Sequence, residues 1–182
     1  MIFVPLTVFA GGQAGAWQVL GVEPVTGPSL PPVSRLAVLD GTPGGGLDAA
    51  WALRGATSNG RYTRRNEQEA LAARQAGLGR PEATRAALIP ITKSDAWWAL
   101  AQDERRDLFE ETSHHITIGM QYLPAVARRL YHSRDLSEPF DFLTWFEYAL
   151  RDAPAFEELV SRLRATPEWN YVKREVDIRL AR

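Results

Sequence analysis

The chain has 182 residues, enough for one domain or two small ones sharing a core. It is 45% hydrophobic and 24% charged with a net charge of −1, so no basic excess draws it to nucleic acid or an anionic lipid surface, and no stretch approaches the length of a membrane span. With no cysteine, disulfides, iron–sulfur clusters, thiolate metal ligands and cysteine nucleophiles are excluded.

Met1 to Phe9 is apolar but lacks a basic start and stops at Gly11-Gly12. It is therefore expected to be a first β-strand rather than a signal peptide, and the protein cytoplasmic. Trp17 to Val25 and Val33 to Leu39 are β-like runs bounded by glycine and proline. Gly41 to Gly46 is a glycine-rich turn without the Lys-Ser/Thr of a phosphate loop. Ala49 to Ala56 reads as a further strand and Asn66 to Gln75 as a short helix.

The second half is more regular. Ala87 to Thr92 is an apolar strand, and Ser94 or Asp95 caps a helix from Ala96. Helix resumes at Asp103 and is expected to run to Ile118, with Gly119 ending it. Pro124 leads into a strand, Ala125 to Arg134, followed by an alternating strand, Phe140 to Tyr148. Pro154 to Arg164 is an amphipathic helix with Phe156, Leu159, Val160 and Leu163 on one face. Trp169 to Leu180 closes the chain as a strand with Val172, Val176, Ile178 and Leu180 on one side. The order βαββαβ is that of a ferredoxin-like unit, an α+β arrangement with helices on one face of an antiparallel sheet. Residues 86–182 would form this half, and residues 1–85 a reduced α+β half that supplies its partner layer.

Some residues stand out against this pattern. Wound at about 100° per residue, Leu108, Phe109, Thr112, Ile116 and Gly119 share an arc that includes His115, whereas His114 falls beside Asp107, Glu110 and Glu111. An inward imidazole is either a satisfied core residue or a metal ligand. Arg128 shares a strand face with Val126 and Leu130. Its charge cannot be shed, so it finds a buried ion pair, reaches the edge, or binds an anion in a pocket. Glu168, next to Trp169, is either a solvent-facing strand end or a carboxylate that orients an imidazole. Trp97 and Trp98 are adjacent, so one at most faces a given core; the pair forms aromatic core and interface, or a wall for a flat ligand. No carboxylate pair, Ser-His-Asp set or HExxH motif is present, and three histidines are too few for a multi-histidine metal centre.

Taken together, several segments resemble the chlorite dismutase family. They are Ile89-Pro90-Ile91-Thr92-Lys93-Ser94-Asp95-Ala96-Trp97-Trp98, Asp103-Glu104-Arg105-Arg106 with Phe109-Glu110-Glu111 and Ser113-His114-His115-Ile116, Leu123 to Arg129, Phe140 to Glu147, and Glu168-Trp169 to Arg182. Ser58 to Tyr62 and Gln75 through Leu78-Gly79-Arg80 are similar upstream. The likeness is good over about residues 55 to 182 and loose before, and the length is that of the family's short, dimeric clade.

The resemblance implies a dimeric α/β barrel type of fold, a homodimer, and haem b with its iron ligated by His115. Glu168 would hydrogen-bond the other imidazole nitrogen. Arg128 would be the distal arginine and Gln75 the neighbour that holds it. Lys93, Trp97 and Tyr62 would contact or flank the haem propionates, with Trp98 and Trp145 lining the pocket. The implied activity is conversion of chlorite to chloride and dioxygen: an oxygen atom passes to ferric iron, and the oxo group formed recombines with hypochlorite to make the O–O bond. The alternatives are a coproheme decarboxylase, which generally lacks the distal arginine, a haem carrier or sensor without turnover, and a ferredoxin-like binding domain in which His115 is only core.

Overall fold

A computed structural model of the chain describes residues 5–41, 46–75 and 77–182. The residues before position 5 and most of the expected glycine-rich turn, 42–45, lie outside the described residues.

Among the described residues, eight strands form one closed barrel. In chain order they are β1 (Leu6–Gly12), β2 (Trp17–Thr26), β3 (Arg35–Asp40), β4 (Ala49–Thr57), β5 (Arg85–Lys93), β6 (Ala127–His132), β7 (Phe142–Tyr148) and β8 (Val172–Ala181). Around the barrel they run β1-β3-β2-β8-β5-β7-β6-β4, and β4 pairs back onto β1. Every neighbouring pair is antiparallel. The two halves of the chain thus share one sheet, joined where β2 meets β8 and where β4 meets β6. Closure leaves no unpaired sheet edge among the described residues.

Alternation along the strands builds two cores. Leu88 on β5, Leu143 and Trp145 on β7, and Val176, Ile178 and Leu180 on β8 point into the barrel with Phe9, Trp17, Leu36 and Leu53. Ala87, Ile89, Ile91, Phe142, Phe146 and Tyr148 point outward, under the helices. Val172 departs from the expected face of β8 and joins the outer core. A register shift opposite Thr92/Lys93 puts the first residues of β8 out of phase with the rest.

Of the helices, α1 (Arg65–Arg74) precedes β5, and α2 (Asp95–Ala99), α3 (Gln102–Arg106) and α4 (His115–Met120) follow it. A fifth, α5 (Ala153–Arg164), joins β7 to β8, with proline in its first turn. Phe156, Leu159, Val160 and Leu163 are its buried face. Burying four such side chains stabilises the sheet–helix layer by about 1.5–3 kcal/mol each.

The segment expected to be one helix from Asp103 to Ile118 is three pieces. After α3, Asp107–Thr112 is a π-helical turn, and His114 then adopts a left-handed conformation (φ 54°) that ends it. Gly119 lies inside α4 rather than after it. The break is held by Glu110. Its buried carboxylate accepts the backbone N–H groups of Ile116 (2.6 Å) and Thr117 (3.2 Å) and the Thr117 hydroxyl (2.5 Å), satisfying the free donors at the start of α4. Uniform winding puts Glu110 in solvent and Thr112 inside; the π turn and the left-handed residue reverse both.

Candidate active site

A cleft opens between the outer face of β5, β6 and β7 and the helices that cross it. Its free space, counted out through the open mouth, is ≈ 860 Å³. His115 and Ile116 enter from α4, Phe109 from the π turn, Trp97 from α2 and Glu168 with Trp169 from the 3₁₀ turn Pro167–Tyr171. Arg128 and Leu130 of β6 and Ile91 and Lys93 of β5 form its floor. Tyr62, Leu71 and Gln75 close the side nearest α1.

His115 is held from two directions. Its Nδ1 lies 2.7 Å from Oε2 of Glu168, and its ring stacks on Phe109 at 4.3 Å between centroids. Trp169 lies nearly parallel at 6.3 Å. Its Nε2 has no hydrogen-bond partner among the described residues, so an imidazole whose Nδ1–H is committed to Glu168 offers a lone pair at Nε2. His114, one residue earlier, is exposed.

Glu168 is 3% exposed and fully engaged. Oε1 accepts from Lys93 Nζ at 2.8 Å, and the backbone N–H of Glu168 donates to Ser113 Oγ at 2.9 Å. Burial pushes the carboxyl's pKa up, but the charges and hydrogen bonds of His115 and Lys93 oppose this and bring it to about 2. The group is therefore a carboxylate throughout the working pH range.

Lys93 belongs to this network and not to a free rim. Its side chain is buried, its Nζ is 4.2 Å from the Trp97 ring centroid, and its ion pair is with Glu168. Lys93 thus lines the cleft with its charge already committed to Glu168. Tyr62 and Trp97 do carry free donors. The Tyr62 hydroxyl and the Trp97 indole N–H are both buried without a hydrogen-bond partner in the described structure, and the two rings meet edge to face at 5.8 Å. Buried donors without acceptors are costly.

Arg128 reaches the same cleft with Val126 and Leu130 on its strand face. Its guanidinium makes no ion pair or hydrogen bond among the described residues. Burial lowers its pKa, with the Glu110 charge opposing, yet the group stays protonated at any ordinary pH. Gln75 touches Arg128, but not at the guanidinium: Gln75 Nε2 donates to the Arg128 carbonyl at 2.9 Å, tying the end of α1 to β6.

Two expected pocket residues stand elsewhere. Trp145 lies on the inner face of β7, packed on Phe9 and Trp17, with its indole N–H on Glu147. Period-two alternation sends Thr144 to the cleft and Trp145 into the barrel. Trp98 sits behind the cleft wall, stacked on Phe142, covered by the Arg134 guanidinium at 3.8 Å, and bonded through its indole N–H to Asp141.

Phe109, Ser113, Glu110 and Asn59 escaped the sequence reading. Ser113 stands two residues before the histidine and Phe109 shares its expected arc, and these were the available signals. Asn59, whose Oδ1 accepts the Leu130 N–H at 2.9 Å, gave none.

The family model described as chlorite dismutase matches residues 36–182. A crystal structure of a dimeric chlorite dismutase from Nitrobacter winogradskyi is 60% identical, covers 97% of this chain and 99% of its own, and superposes with a TM-score of 0.89. A curated chlorite dismutase from Ideonella dechloratans is 36% identical over 84 residues, 46% of this chain, so the match spans about a quarter of that relative's length (27%). The structure of a chlorite dismutase from Candidatus Nitrospira defluvii in complex with imidazole, 19% identical with a TM-score of 0.66, covers 98% of this chain and 91% of its own, and shares the fold.

Proposed function

Since the chain belongs to the chlorite dismutase family, we propose that it is a haem b enzyme that converts chlorite to chloride and dioxygen. The observation that carries this reading is one cleft holding an imidazole with a free Nε2, backed by a carboxylate, together with an arginine whose guanidinium makes no ion pair among the described residues.

The residues present fit haem. His115 would ligate the iron through Nε2, while Glu168 accepts its Nδ1–H and fixes the tautomer. The unpartnered Tyr62 hydroxyl and Trp97 N–H are donors suited to propionate oxygens. Haem bound there supplies the redox centre for oxygen-atom transfer. The protein's own part is electrostatic. Chlorite and hypochlorite are anions, and Arg128 is a permanent, half-buried cation that makes no ion pair among the described residues. It attracts the substrate and keeps the hypochlorite fragment in the cleft until dioxygen has formed. Leu130, Ile91 and Phe142 exclude water around it, which strengthens the attraction. Glu168 would keep the imidazole electron-rich, which favours ferric iron, while Lys93 holds the carboxylate in place and tempers its basicity.

Residues 86–182 are the haem-binding, ferredoxin-like half on this reading, and residues 1–85 the reduced half. The reading also includes a cytoplasmic homodimer. Helices cover the outer face of β5 and β7, but β1 and β2 are joined by four residues only, 13–16. Leu20 and Val25 on β2 and Val38 on β3 are left exposed, Leu20 at 56%. Two-fold pairing through that bare face is the simplest way to cover it.

The test is chlorite added to haem-loaded protein with dioxygen followed at an electrode. Dioxygen should appear, and Arg128→Ala should yield less per haem before the haem bleaches. Haem binding without dioxygen release would make the protein a carrier or sensor, and failure to load haem would leave His115 a core residue.

A further inference from the structure

Gly119 lies buried in α4, one turn after His115, in ordinary right-handed helical conformation. Nothing in that backbone calls for glycine. Helix propensity alone favours alanine there.

The space beside it explains the residue. A Cβ at position 119 would stand 2.2 Å from Nη1, 2.8 Å from Cζ and 2.9 Å from Nη2 of Arg128, its three nearest neighbours. None of the three is backbone. The missing methyl makes room for the arginine's head and for nothing closer. At its other end Arg128 is fixed, because β6 pairs it with Phe146 and Gln75 holds its carbonyl. Between these anchors lie only rotatable methylenes. No carboxylate is ion-paired with the guanidinium among the described residues, so the close fit against Gly119 is the contact that sets where the head rests.

We propose that Gly119 is a positioning residue, the seat on α4 that holds the Arg128 guanidinium in the cleft it shares with His115, and that this seat sets the site's affinity for small anions. The inference rests on the reading of Arg128 as the anion-binding group.

A methyl group at 119 cannot coexist with the head in its present place. Contact at 2.2 Å must open to ordinary van der Waals distance of at least 3.4 Å, and the flexible arginine head moves more easily than the helix. Gly119→Ala should therefore evict the head while leaving α4 intact or firmer.

Four proteins decide the matter: the parent, Gly119→Ala, Arg128→Ala and the double variant. The first readout is cyanide and fluoride affinity of the ferric haem-loaded protein, by the shift of its Soret band. The second needs no haem: the rate at which phenylglyoxal modifies Arg128 in the unloaded protein, read by peptide mass mapping. Gly119→Ala should weaken anion binding about tenfold, the loss expected when a charge-assisted hydrogen bond is misplaced. It should have no further effect once Arg128 is alanine. Arg128 should be modified faster in Gly119→Ala, and the melting temperature should not fall. Unchanged phenylglyoxal reactivity, or an equal loss of anion affinity in both backgrounds, overturns the seat. If Arg128 becomes more reactive but neither Gly119→Ala nor Arg128→Ala alters anion binding, the anion-binding reading of Arg128 fails, and with it the seat's role in affinity.

Discussion

His115 and its neighbour His114 are chemically alike and separated only by backbone conformation. His114 takes the left-handed position and faces solvent, while His115 opens α4 and faces the cleft. His115→Ala should lower haem affinity by more than about tenfold, the least that loss of an oriented ligand costs. His114→Ala should leave it nearly intact; pyridine haemochrome titration of the purified variants compares the two. Glu168 acts one bond further out. Glu168→Gln keeps the shape but removes the charge that makes the imidazole a strong donor. The ferric/ferrous potential should rise by about 60 mV or more, equivalent to a tenfold shift in a one-electron equilibrium. Spectroelectrochemistry measures it, and a lower potential would remove Glu168 from that role. Arg128→Ala should leave the melting temperature of the unloaded protein near that of the parent, because no ion pair is broken.

At the scale of elements, the π turn and the short α4 together deliver the histidine. A continuous helix could not place Phe109 on the imidazole face while turning the Glu110 carboxylate under the next helix. The left-handed φ of His114 permits the break, and β-branched residues tolerate that region poorly. His114→Val should destabilise the unloaded protein by about 1–2 kcal/mol, and His114→Gly should be close to neutral; urea unfolding separates them. Equal stability of the valine and glycine variants would mean the left-handed break is not maintained in solution. α1, by contrast, buries no side chain. It is held at its ends, by the Arg106–Glu67 pair and by Gln75 on β6, so it closes the cleft as a tethered cover rather than a core helix.

For the whole molecule, closure of the barrel joins a helix-covered half to a bare one. Light scattering at micromolar concentration should report a dimer, and a monomer would reject pairing through β2 and β3. Acid should act through the charged cluster between α5 and β8. Asp177 is buried against Arg164 and Arg179. Burial tends to raise its pKa, but the hydrogen bonds and charges of Arg179 and Arg164 prevail and hold it below the ordinary aspartate range. A carboxyl lowered on folding stabilises the native state above its unfolded pKa of about 4, and that contribution is lost as pH falls through the folded value. Stability should therefore decline below about pH 4, and Asp177→Asn should flatten the decline. Urea midpoints from pH 2.5 to 7 test this, and an unaltered slope would assign the acid sensitivity elsewhere.

Much of this was written in the sequence because it depends on local periods. The amphipathic α5, the shared face of Val176, Ile178 and Leu180 on β8, the exclusion of thiolate chemistry and the inward facing of His115 rather than His114 all follow from spacing or composition. His115 faces the cleft and His114 faces solvent even though the helix assumed in that winding is not continuous. What required the tertiary structure lies where distant segments meet or a period breaks. Barrel closure depends on pairings such as Thr57 with Tyr131, far apart in the chain. The removal of Trp145 from the cleft follows from which face of β7 closure turns inward. The commitment of Lys93 to Glu168 spans 75 positions, and the meeting of Arg128 with Gly119 joins a strand to a helix packed across it. No short window of sequence contains both Lys93 and Glu168, or both Thr57 and Tyr131; Gly119 and Arg128 are near in sequence, but whether they touch is decided by how α4 packs across β6.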